Sequence, residues 1–146
     1  MTDLSDPVDP PPGWQRDHVR RYVATNGDDG HIWRGVPTLL LTTAGRRSGR
    51  ARRTPLIYGR DDEEYLVVAS KGGSDEDPQW YRNLVADPNV RLQVGADTFD
   101  ATARTATPEQ RQRLWAKMTE IWPVYEAYQE RTARLIPVVL LRPADR

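Results

Sequence analysis

The hydrophobic positions fall into short runs that turn-forming residues separate, and most of these runs predict strands. Val36–Thr43 and Tyr65–Ser70 are apolar and contain β-branched side chains, as buried strands do. Val90–Val94 and Thr98–Thr105 alternate on either side of a glycine-containing turn, which predicts a β-hairpin. Ile136–Leu141 is the last apolar run. We therefore expect about six strands.

The order of these strands favours an antiparallel sheet. Thr38–Thr43 and Arg52–Arg60 flank the tight turn Ala44–Gly49, which predicts a further hairpin. Hairpins, and not alternating strands and helices, dominate the pattern. The fold class should therefore be mainly β (α+β), a small barrel of mostly antiparallel strands with three or four flanking helices.

Two short helices are predicted in the first two-thirds of the chain. His18–Thr25 fits one turn-bounded helix. Asp77 suits the N-cap of the next helix, and Pro78 suits its first position. The inward face of this second helix should consist of Trp80, Leu84 and Val85.

A longer helical region is predicted near the C-terminal end. The string Thr107-Pro108-Glu109-Gln110 fits a capping box, so a helix should begin there and run to about Ile121. Pro123 should interrupt this helix, because proline lacks the backbone N–H that helical hydrogen bonding needs. The helix should then resume over Tyr125–Ala133.

The ends of the chain and its composition limit the class of protein. Residues 1–13 are polar and proline-rich, which predicts a flexible tail before a single domain over 14–146. No apolar run approaches the roughly 20 residues that span a bilayer, and no signal peptide is evident. The chain contains no cysteine, which excludes disulfides and thiolate catalysis. We expect a soluble, cytoplasmic protein.

Charge and residue type argue against several functions. The chain has 21 basic and 21 acidic side chains, so no general affinity for nucleic acid is expected. His18 and His31 lack metal-ligand spacing and are expected at the surface. No Ser/His/Asp order suggests nucleophilic catalysis. Chemistry supplied by a bound cofactor is therefore the simplest hypothesis.

The densest local signal is the arginine-rich loop Gly45–Arg53. It carries five arginines, and no carboxylate interrupts them. Arginine forks bind phosphate and carboxylate groups, and the two glycines permit turns that expose backbone N–H groups. The composition of this loop fits an anion site and a solvated hairpin tip equally well.

Two further segments could carry chemistry. Ser70-Lys71-Gly72-Gly73 follows a buried strand and combines a positive charge with a glycine turn, although it lacks the Walker spacing. Trp122, Tyr125 and Tyr128 surround the helix break, and the tyrosines share one helical face. These aromatic residues fit either a core cluster or the wall of a site for a flat ligand.

Several motifs together give the chain a family resemblance. The motifs are Leu39–Gly49, then Arg53-Thr54-Pro55-Leu56, Ser70–Gly73, and Pro78-x-Trp80-Tyr81-x-Asn83-Leu84. They are followed by Tyr125-x-x-Tyr128-Gln129 and Ile136–Val139. In order and spacing they resemble the deazaflavin-dependent nitroreductase family of actinobacteria, from about His18 to Pro143.

This resemblance implies a split β-barrel related to FMN-binding barrels, with coenzyme F-420 (8-hydroxy-5-deazaflavin) as its cofactor. It implies that the arginine-rich loop and the Ser70–Gly73 loop hold the phosphate and glutamate tail of the coenzyme. It also places Ser70, Tyr125 and Tyr128 at the reacting end. The implied cofactor-binding residues are Arg46, Ser48, Arg50, Arg53, Thr54, Pro55, Leu56, Ser70, Lys71, Gly72, Trp80, Tyr81 and Asn83.

The expected activity is hydride transfer from the reduced coenzyme to a nitro-aromatic, quinone or activated enone acceptor. The nitroimidazole-reducing member has a tyrosine where this chain has Trp122, and this departure bears on nitro substrates. The alternatives are an FMN-dependent reductase or oxidase of the same fold, and a non-catalytic binder of the coenzyme or another anion.

A monomer and a homodimer both fit the sequence, as does peripheral contact with a membrane.

Overall fold

The computed structural model describes residues 2–144, so Met1 of the predicted tail and residues 145–146 of the predicted domain lie outside it. The helices are α1 (Trp14–Ala24), α2 (Gln79–Ala86), α3 (Pro108–Ile121) and α4 (Val124–Glu130), with one 3-10 turn at Lys71–Gly73. The strands are β1 (Ile32–Trp33), β2 (Val36–Ala44), β3 (Ala51–Ile57), β4 (Gly59–Asp61), β5 (Glu64–Val68), β6 (Asn89–Val94), β7 (Asp97–Thr105) and β8 (Val138–Pro143).

The strands form one antiparallel sheet that curls into a half-barrel. Its order is β1-β2-β6-β7-β8-β5-β4, and β3 pairs with β2 outside this path. The predicted mainly β architecture with flanking helices is confirmed. The sequence did not predict β1, which has two residues, and did not predict the three-residue β4 as a separate strand. The predicted strand Arg52–Arg60 divides at Tyr58, because Gly59–Asp61 pairs with β5 and not with β2.

Apolar side chains fill both faces of the curled sheet. Leu39 and Leu41 of β2 pack inside the barrel with Val67, Leu92 and Val139. The opposite faces of β5 and β8 pack against α3, where the buried residues include Leu66, Leu114, Met118 and Leu140. Burial of this apolar surface is the main favourable contribution to folding.

Helix α1 begins at Trp14, four residues before the predicted start at His18. Its buried face carries Val19 and Tyr22, which pack on Leu40 of β2. The Tyr22 hydroxyl accepts a hydrogen bond from the backbone N–H of Gly95 at 2.7 Å and lies 3.1 Å from the carbonyl of Thr38. These contacts fix α1 against the β2 strand and the β6–β7 turn.

Helix α2 differs from its prediction in its N-cap and in one residue of its inward face. Pro78, and not Asp77, occupies the N-cap position, and no side chain caps this helix. The Asp77 carboxylate instead accepts a hydrogen bond from Arg134 at 2.9 Å. Val85 is 62% exposed, so it does not belong to the inward face, whereas Leu84 is buried.

The C-terminal helices follow the prediction closely. Thr107 and Gln110 form the predicted capping box at the start of α3, and Ile121 ends the helix. Helix α4 begins after Pro123 but ends at Glu130, three residues before the predicted Ala133. Residues 131–137 then lead into β8.

The segment that was predicted to be a flexible tail contacts strand β3. Val8 forms a parallel bridge with Arg52, in which its N–H donates to Ala51 at 2.8 Å and its carbonyl accepts from Arg53 at 2.9 Å. The Asp9 carboxylate also lies 2.8 Å from the Arg53 guanidinium. We call residues 4–9 the N-terminal strap.

Candidate active site

The half-barrel opens between the free edge of β3 and the end of β5, and a cavity of about 380 Å³ lies there. Helices α1, α2 and α4 contribute to its walls. Nine of the residues predicted for the site line this cavity: Thr54, Pro55, Leu56, Ser70, Lys71, Gly72, Trp80, Tyr125 and Tyr128.

Strand β3 forms one wall because only one of its edges is paired at this point. Thr54, Pro55 and Leu56 pair with β2, and the strap contacts β3 further back, around Arg52. Within residues 2–144 the other edge of β3 at positions 54–56 therefore faces the cavity without a partner strand. Pro55 suits such an edge, because it has no N–H to donate to a neighbouring strand.

The Ser70–Gly73 loop forms the opposite wall, and its backbone has an uncommon conformation. Lys71, Gly72 and Gly73 all have positive φ angles, of 46°, 64° and 85°. A Cβ atom at Gly73 would lie 2.7 Å from the carbonyl oxygen of Tyr128. The second glycine of this motif is therefore needed to let the loop approach α4 closely.

Arg134 holds the Ser70–Gly73 loop in place, although the sequence analysis gave it no role. Its guanidinium donates to the carbonyls of Ser74 at 2.7 Å, Ser70 at 2.9 Å and Ala69 at 3.2 Å. It also pairs with Asp77 just before α2. No local sequence pattern indicates this role, because each of these partners is more than 50 residues away along the chain.

The arginine-rich loop is a tight turn that is anchored to α2. The N–H of Gly45 donates to the carbonyl of Arg50 at 2.8 Å, and a Cβ at Gly45 would lie 2.5 Å from that oxygen. The Arg46 guanidinium donates to the side-chain oxygens of Asn83 and Gln79, each at 2.8 Å. The amide of Asn83 donates in turn to Thr43 at 3.2 Å.

This arrangement assigns different tasks to the predicted residues of the loop. Asn83 is 3% exposed and does not line the cavity, so it positions Arg46. The Ser48 hydroxyl accepts from the backbone N–H of Arg50 and shapes the turn. The Arg53 guanidinium is already paired with Asp9 of the strap. Of the predicted residues, Arg46, Ser48, Arg50, Arg53, Tyr81 and Asn83 lie outside the cavity lining.

A local excess of positive charge remains on the loop. Arg47, Arg50 and Arg52 form no ion pair within residues 2–144, and neither does Arg82 of α2. Loss of hydration, and then the neighbouring charges of Arg47 and Arg82, lower the pKa of Arg46. Such a cluster favours the binding of an anion, which would neutralise the repulsion.

The tyrosines of α4 occupy the cavity side of the helix. Tyr125 is 5% exposed, and its ring packs edge-on against Tyr128 at 6.2 Å between centroids. Its hydroxyl makes no hydrogen bond within residues 2–144. Burial, and then the proximity of Tyr128, raise the pKa of Tyr125 well above its usual range. Tyr125 is therefore a neutral donor at physiological pH.

The two aromatic residues of α2 have different surroundings. Trp80 lines the cavity and meets Tyr81 edge-on at 6.3 Å. The Tyr81 hydroxyl instead lies 2.8 Å from the hydroxyl of Thr105 on β7. Tyr81 therefore fixes α2 to the sheet and supports Trp80 from behind.

The N-terminal part of the chain contributes cavity residues that the sequence analysis did not identify. Trp14 and His18 of α1 and Trp33 of β1 line the cavity together with Trp122. His18 is 3% exposed, so its expected surface position is wrong. The His18 Nε2–H donates to the carbonyl of Gly30 at 2.7 Å. A prediction that α1 begins at Trp14 would have identified these residues, since this start brings one face of the helix to the opening.

The residues of this site fit an anionic, partly flat coenzyme. Arg46 of the arginine-rich loop bonds to Gln79 of the cavity lining, aromatic side chains form the cavity walls, and the Tyr125 hydroxyl has no hydrogen-bond partner within residues 2–144. Charge-assisted hydrogen bonds from such arginines suit phosphate and carboxylate groups. No helix in residues 2–144 combines the length and hydrophobicity that a membrane crossing would need.

Comparison with known proteins identifies the family. Residues 14–143 match the family described as F420H(2)-dependent quinone reductase. An F420H(2)-dependent quinone reductase of Mycobacterium tuberculosis is 45% identical over 128 residues, which cover 85% of this chain and 86% of that protein. A second relative from the same organism, a putative F420H(2)-dependent quinone reductase, is 42% identical over 74% of this chain and 91% of that protein.

Solved structures agree with this family. A structure of an F420-H2 dependent reductase has a TM-score of 0.68 and 40% identity, and the match covers 77% of this chain and 98% of that one. A structure described as a domain-swapped dimer has a TM-score of 0.70 and 36% identity, covering 86% of this chain and 98% of that one. The heme storage protein HutZ of Vibrio cholerae, at 21% identity and a TM-score of 0.58, shares the fold.

These relatives support the predicted coenzyme F-420 and give no support to the FMN alternative. The resemblance that the motifs indicated is thereby confirmed, although the matching family is described by quinone and not by nitro-group reduction. The chain belongs to the family of F420H(2)-dependent quinone reductases, and it is a reductase that uses the reduced deazaflavin coenzyme.

Proposed function

We propose that this reductase transfers a hydride from the reduced coenzyme to a quinone, with Tyr125 as the hydrogen-bond donor to the quinone carbonyl. The observation that carries this proposal is the Tyr125 hydroxyl, which lies on a buried ring in the cavity wall and has no partner within residues 2–144. The quinone-reducing relatives support the choice of acceptor.

The arginine-rich loop and the Ser70–Gly73 loop would hold the anionic part of the coenzyme. Arg46, Arg50 and Lys71 can donate charge-assisted hydrogen bonds to phosphate and carboxylate groups. The Lys71 ammonium lies 3.5 Å from the exposed Glu76 carboxylate, an ion pair that a bound anion can replace at little cost. The ring system would then lie along Thr54–Leu56 and Trp80.

When bound, the reduced deazaflavin supplies a hydride to the acceptor. Reduction of a quinone to a hydroquinone takes one hydride and one proton. Negative charge therefore develops on the carbonyl oxygen before the proton arrives, and a hydrogen-bond donor stabilises that charge. Tyr125 can donate to that oxygen because a tyrosine hydroxyl is protonated at neutral pH, and burial raises its pKa further. The Ser70 and Tyr128 hydroxyls lie in the same cavity wall and can relay a proton from solvent.

A direct test is the Tyr125→Phe substitution, which removes only the hydroxyl. We expect the kcat for a simple naphthoquinone to fall on the order of 100-fold or more, since a positioned proton donor contributes roughly 10²- to 10⁴-fold. The Kd for the coenzyme, measured by tryptophan fluorescence, should change by less than about two-fold. Stopped-flow oxidation of the reduced coenzyme provides the rate.

Tyr81→Phe is the matched control, because the Tyr81 hydroxyl contacts Thr105 outside the cavity lining. An unchanged kcat in Tyr125→Phe would reject the role of Tyr125. Tight binding of FMN with no response to coenzyme F-420 in the fluorescence titration would reject the proposed cofactor. Oxidation of the reduced coenzyme by nitro-aromatics but not by quinones would reject the proposed acceptor.

A further inference from the structure

A second cavity of about 440 Å³ adjoins the candidate active site. It is lined by Trp14, Asp17, His18, Arg21, Trp33 and Arg34, and we call it the accessory compartment. Trp14, His18 and Trp33 also line the active-site cavity, so they form the wall between the two spaces. Trp14 is 60% exposed, so a substituent on an acceptor in the active site can reach the accessory compartment over this side chain.

The wall between the two cavities is aromatic. Trp14 and Trp33 stack with their ring centroids 5.6 Å apart and their planes within 16°. Trp122, which lines the active-site cavity, lies at the same centroid distance from Trp33, with its plane tilted by 49°. These three indole rings form an aromatic cluster, the indole surface, against whose open sides a flat acceptor can pack.

The far side of the accessory compartment is charged, and this sets it apart from a site for a hydrocarbon chain. The Arg34 guanidinium lies over the Trp33 ring, 4.9 Å from its centroid. Arg21 is 3.5 Å from Asp29, whereas Arg34 and Asp17 form no ion pair within residues 2–144. Arg34 is therefore a free donor group next to the indole surface, with Asp17 as a separate acceptor.

The backbone at Arg34 is strained, which independently indicates a role for this side chain. Trp33 pairs with Val36, so Arg34 and Gly35 form a two-residue hairpin turn, and their φ angles are 49° and 83°. Turns with two positive φ angles favour asparagine and glycine, and a long side chain at the first position costs free energy. Strained residues of this kind are concentrated at functional sites.

The shared wall also contains an unsatisfied polar atom. Because the His18 Nε2–H donates to Gly30, the other ring nitrogen, Nδ1, is an acceptor. It is buried and has no hydrogen-bond partner within residues 2–144. Buried polar atoms usually have partners, so this nitrogen is an unusual polar position in an otherwise aromatic wall.

From these observations we propose that Arg34 selects acceptors with a hydrogen-bond-accepting group on a short arm, such as a carboxylate or a carboxamide. The flat ring of the acceptor packs on the indole surface, and the arm passes into the accessory compartment to meet the Arg34 guanidinium. This inference rests on the proposed quinone reduction and adds the class of substituent that the enzyme prefers.

The test compares three naphthoquinones that share one ring and differ only in a three-carbon arm, which ends in a carboxylate, a carboxamide or a methyl group. We expect kcat/KM for the carboxylate to exceed that for the alkyl compound on the order of ten-fold, as a charge-assisted hydrogen bond would give. Arg34→Gln should bring this ratio close to one, and Arg34→Lys should restore part of it.

Arg20→Gln is the control, because Arg20 is an exposed arginine of α1 and lines neither cavity. It should keep the wild-type ratio. A wild-type ratio of one, or a ratio that Arg34→Gln leaves unchanged, would overturn the inference. If none of the three quinones oxidises the reduced coenzyme, the proposed function itself fails.

A binding measurement without coenzyme separates these outcomes from catalysis. The NMR signal of the Trp33 indole N–H is assigned with Trp33→Phe. This signal should shift more strongly on titration with 2-naphthylacetate than with 2-naphthylacetamide or the parent naphthalene alcohol. Arg34→Gln should remove the extra shift, and a Kd for 2-naphthylacetate equal to that of wild type in this variant would contradict the proposal. Circular dichroism confirms that each variant is folded.

Discussion

At the scale of single residues, Arg134 ties the Ser70–Gly73 loop to Asp77, just before α2. Its side chain is only 16% exposed, and its donors reach three carbonyls of the segment 69–74 and the carboxylate of Asp77. A planar guanidinium can serve several acceptors at once, which a lysine ammonium cannot do in the same geometry. The position of Ser70 therefore depends on a residue more than 60 positions further along the chain.

Replacement of Arg134 should therefore affect both stability and coenzyme binding. We expect Arg134→Met to lower the free energy of unfolding by about 2 to 3 kcal/mol, because it leaves a partly buried carboxylate and several carbonyls unsatisfied. The Kd for the coenzyme should rise as the Ser70–Gly73 loop loses its anchor. Urea unfolding and fluorescence titration measure the two effects.

Arg131→Met provides the comparison, since Arg131 is exposed and makes only one hydrogen bond to this loop, to Gly72 at 3.2 Å. It should cost less than about 0.5 kcal/mol. Equal stability of the two variants would show that Arg134 does not anchor the loop.

The sequence predicted the cavity residues that belong to local motifs better than those whose place depends on distant contacts. The Ser-Lys-Gly-Gly motif and Tyr125 stand out locally, and the structure brings them to one cavity. Arg134, Trp33 and His18 could not be identified in this way, because their roles depend on contacts with distant segments. The same reason explains Asn83, which was predicted to lie beside the coenzyme and instead supports Arg46.

At the scale of elements, long periodic segments were predictable and short ones were not. Strands β2, β6, β7 and β8 have apolar or alternating runs, whereas β1 and β4 have too few residues to show a pattern. The predicted start of helix α1 was too late because its first turn, Trp14–Asp17, is exposed or half-exposed and shows no apolar face. Its first residue instead makes a tertiary contact, the stacking of Trp14 on Trp33, which periodicity cannot reveal.

The start of α3 gives a clear prediction for an element. Thr107→Ala removes the hydroxyl that accepts from the N–H of Gln110, and we expect it to lower the unfolding free energy by about 1 kcal/mol. Gln112→Ala, an exposed position in the same helix, should change it by less than about 0.5 kcal/mol. Thermal unfolding followed by circular dichroism measures the difference, and equal melting temperatures would contradict a stabilising cap.

At the scale of the whole molecule, buried tyrosines link stability to alkaline pH. Burial raises the pKa of Tyr22 to about 12, and it raises the pKa values of Tyr58 and Tyr125 as well. In the unfolded chain these groups ionise near pH 10, so above that pH the unfolded state loses protons that the folded state keeps. The stability is therefore fully present below pH 10 and decreases as the pH rises through and beyond it.

We expect unfolding free energy to be nearly constant between about pH 7 and 9 and to fall by about 1 kcal/mol per buried tyrosine near pH 11. Tyr22→Phe lacks one of these groups, so its stability should fall less steeply above pH 10, although the variant loses the contact with Gly95. Guanidinium unfolding at several pH values gives the slopes. Parallel slopes for wild type and Tyr22→Phe would rule out this linkage.

The N-terminal strap has a consequence for how this protein meets other copies of itself. Val8 occupies the outer hydrogen-bonding positions of β3 around Arg52, so the strap shields an edge that would otherwise offer free N–H and C=O groups to any extended chain. Exposed strand edges are templates for aggregation. The proline-rich segment 7–12 can cover this edge without extending the sheet, since prolines have no N–H for a further strand. Shortening or tagging the N-terminus should therefore promote aggregation before it changes the catalytic activity.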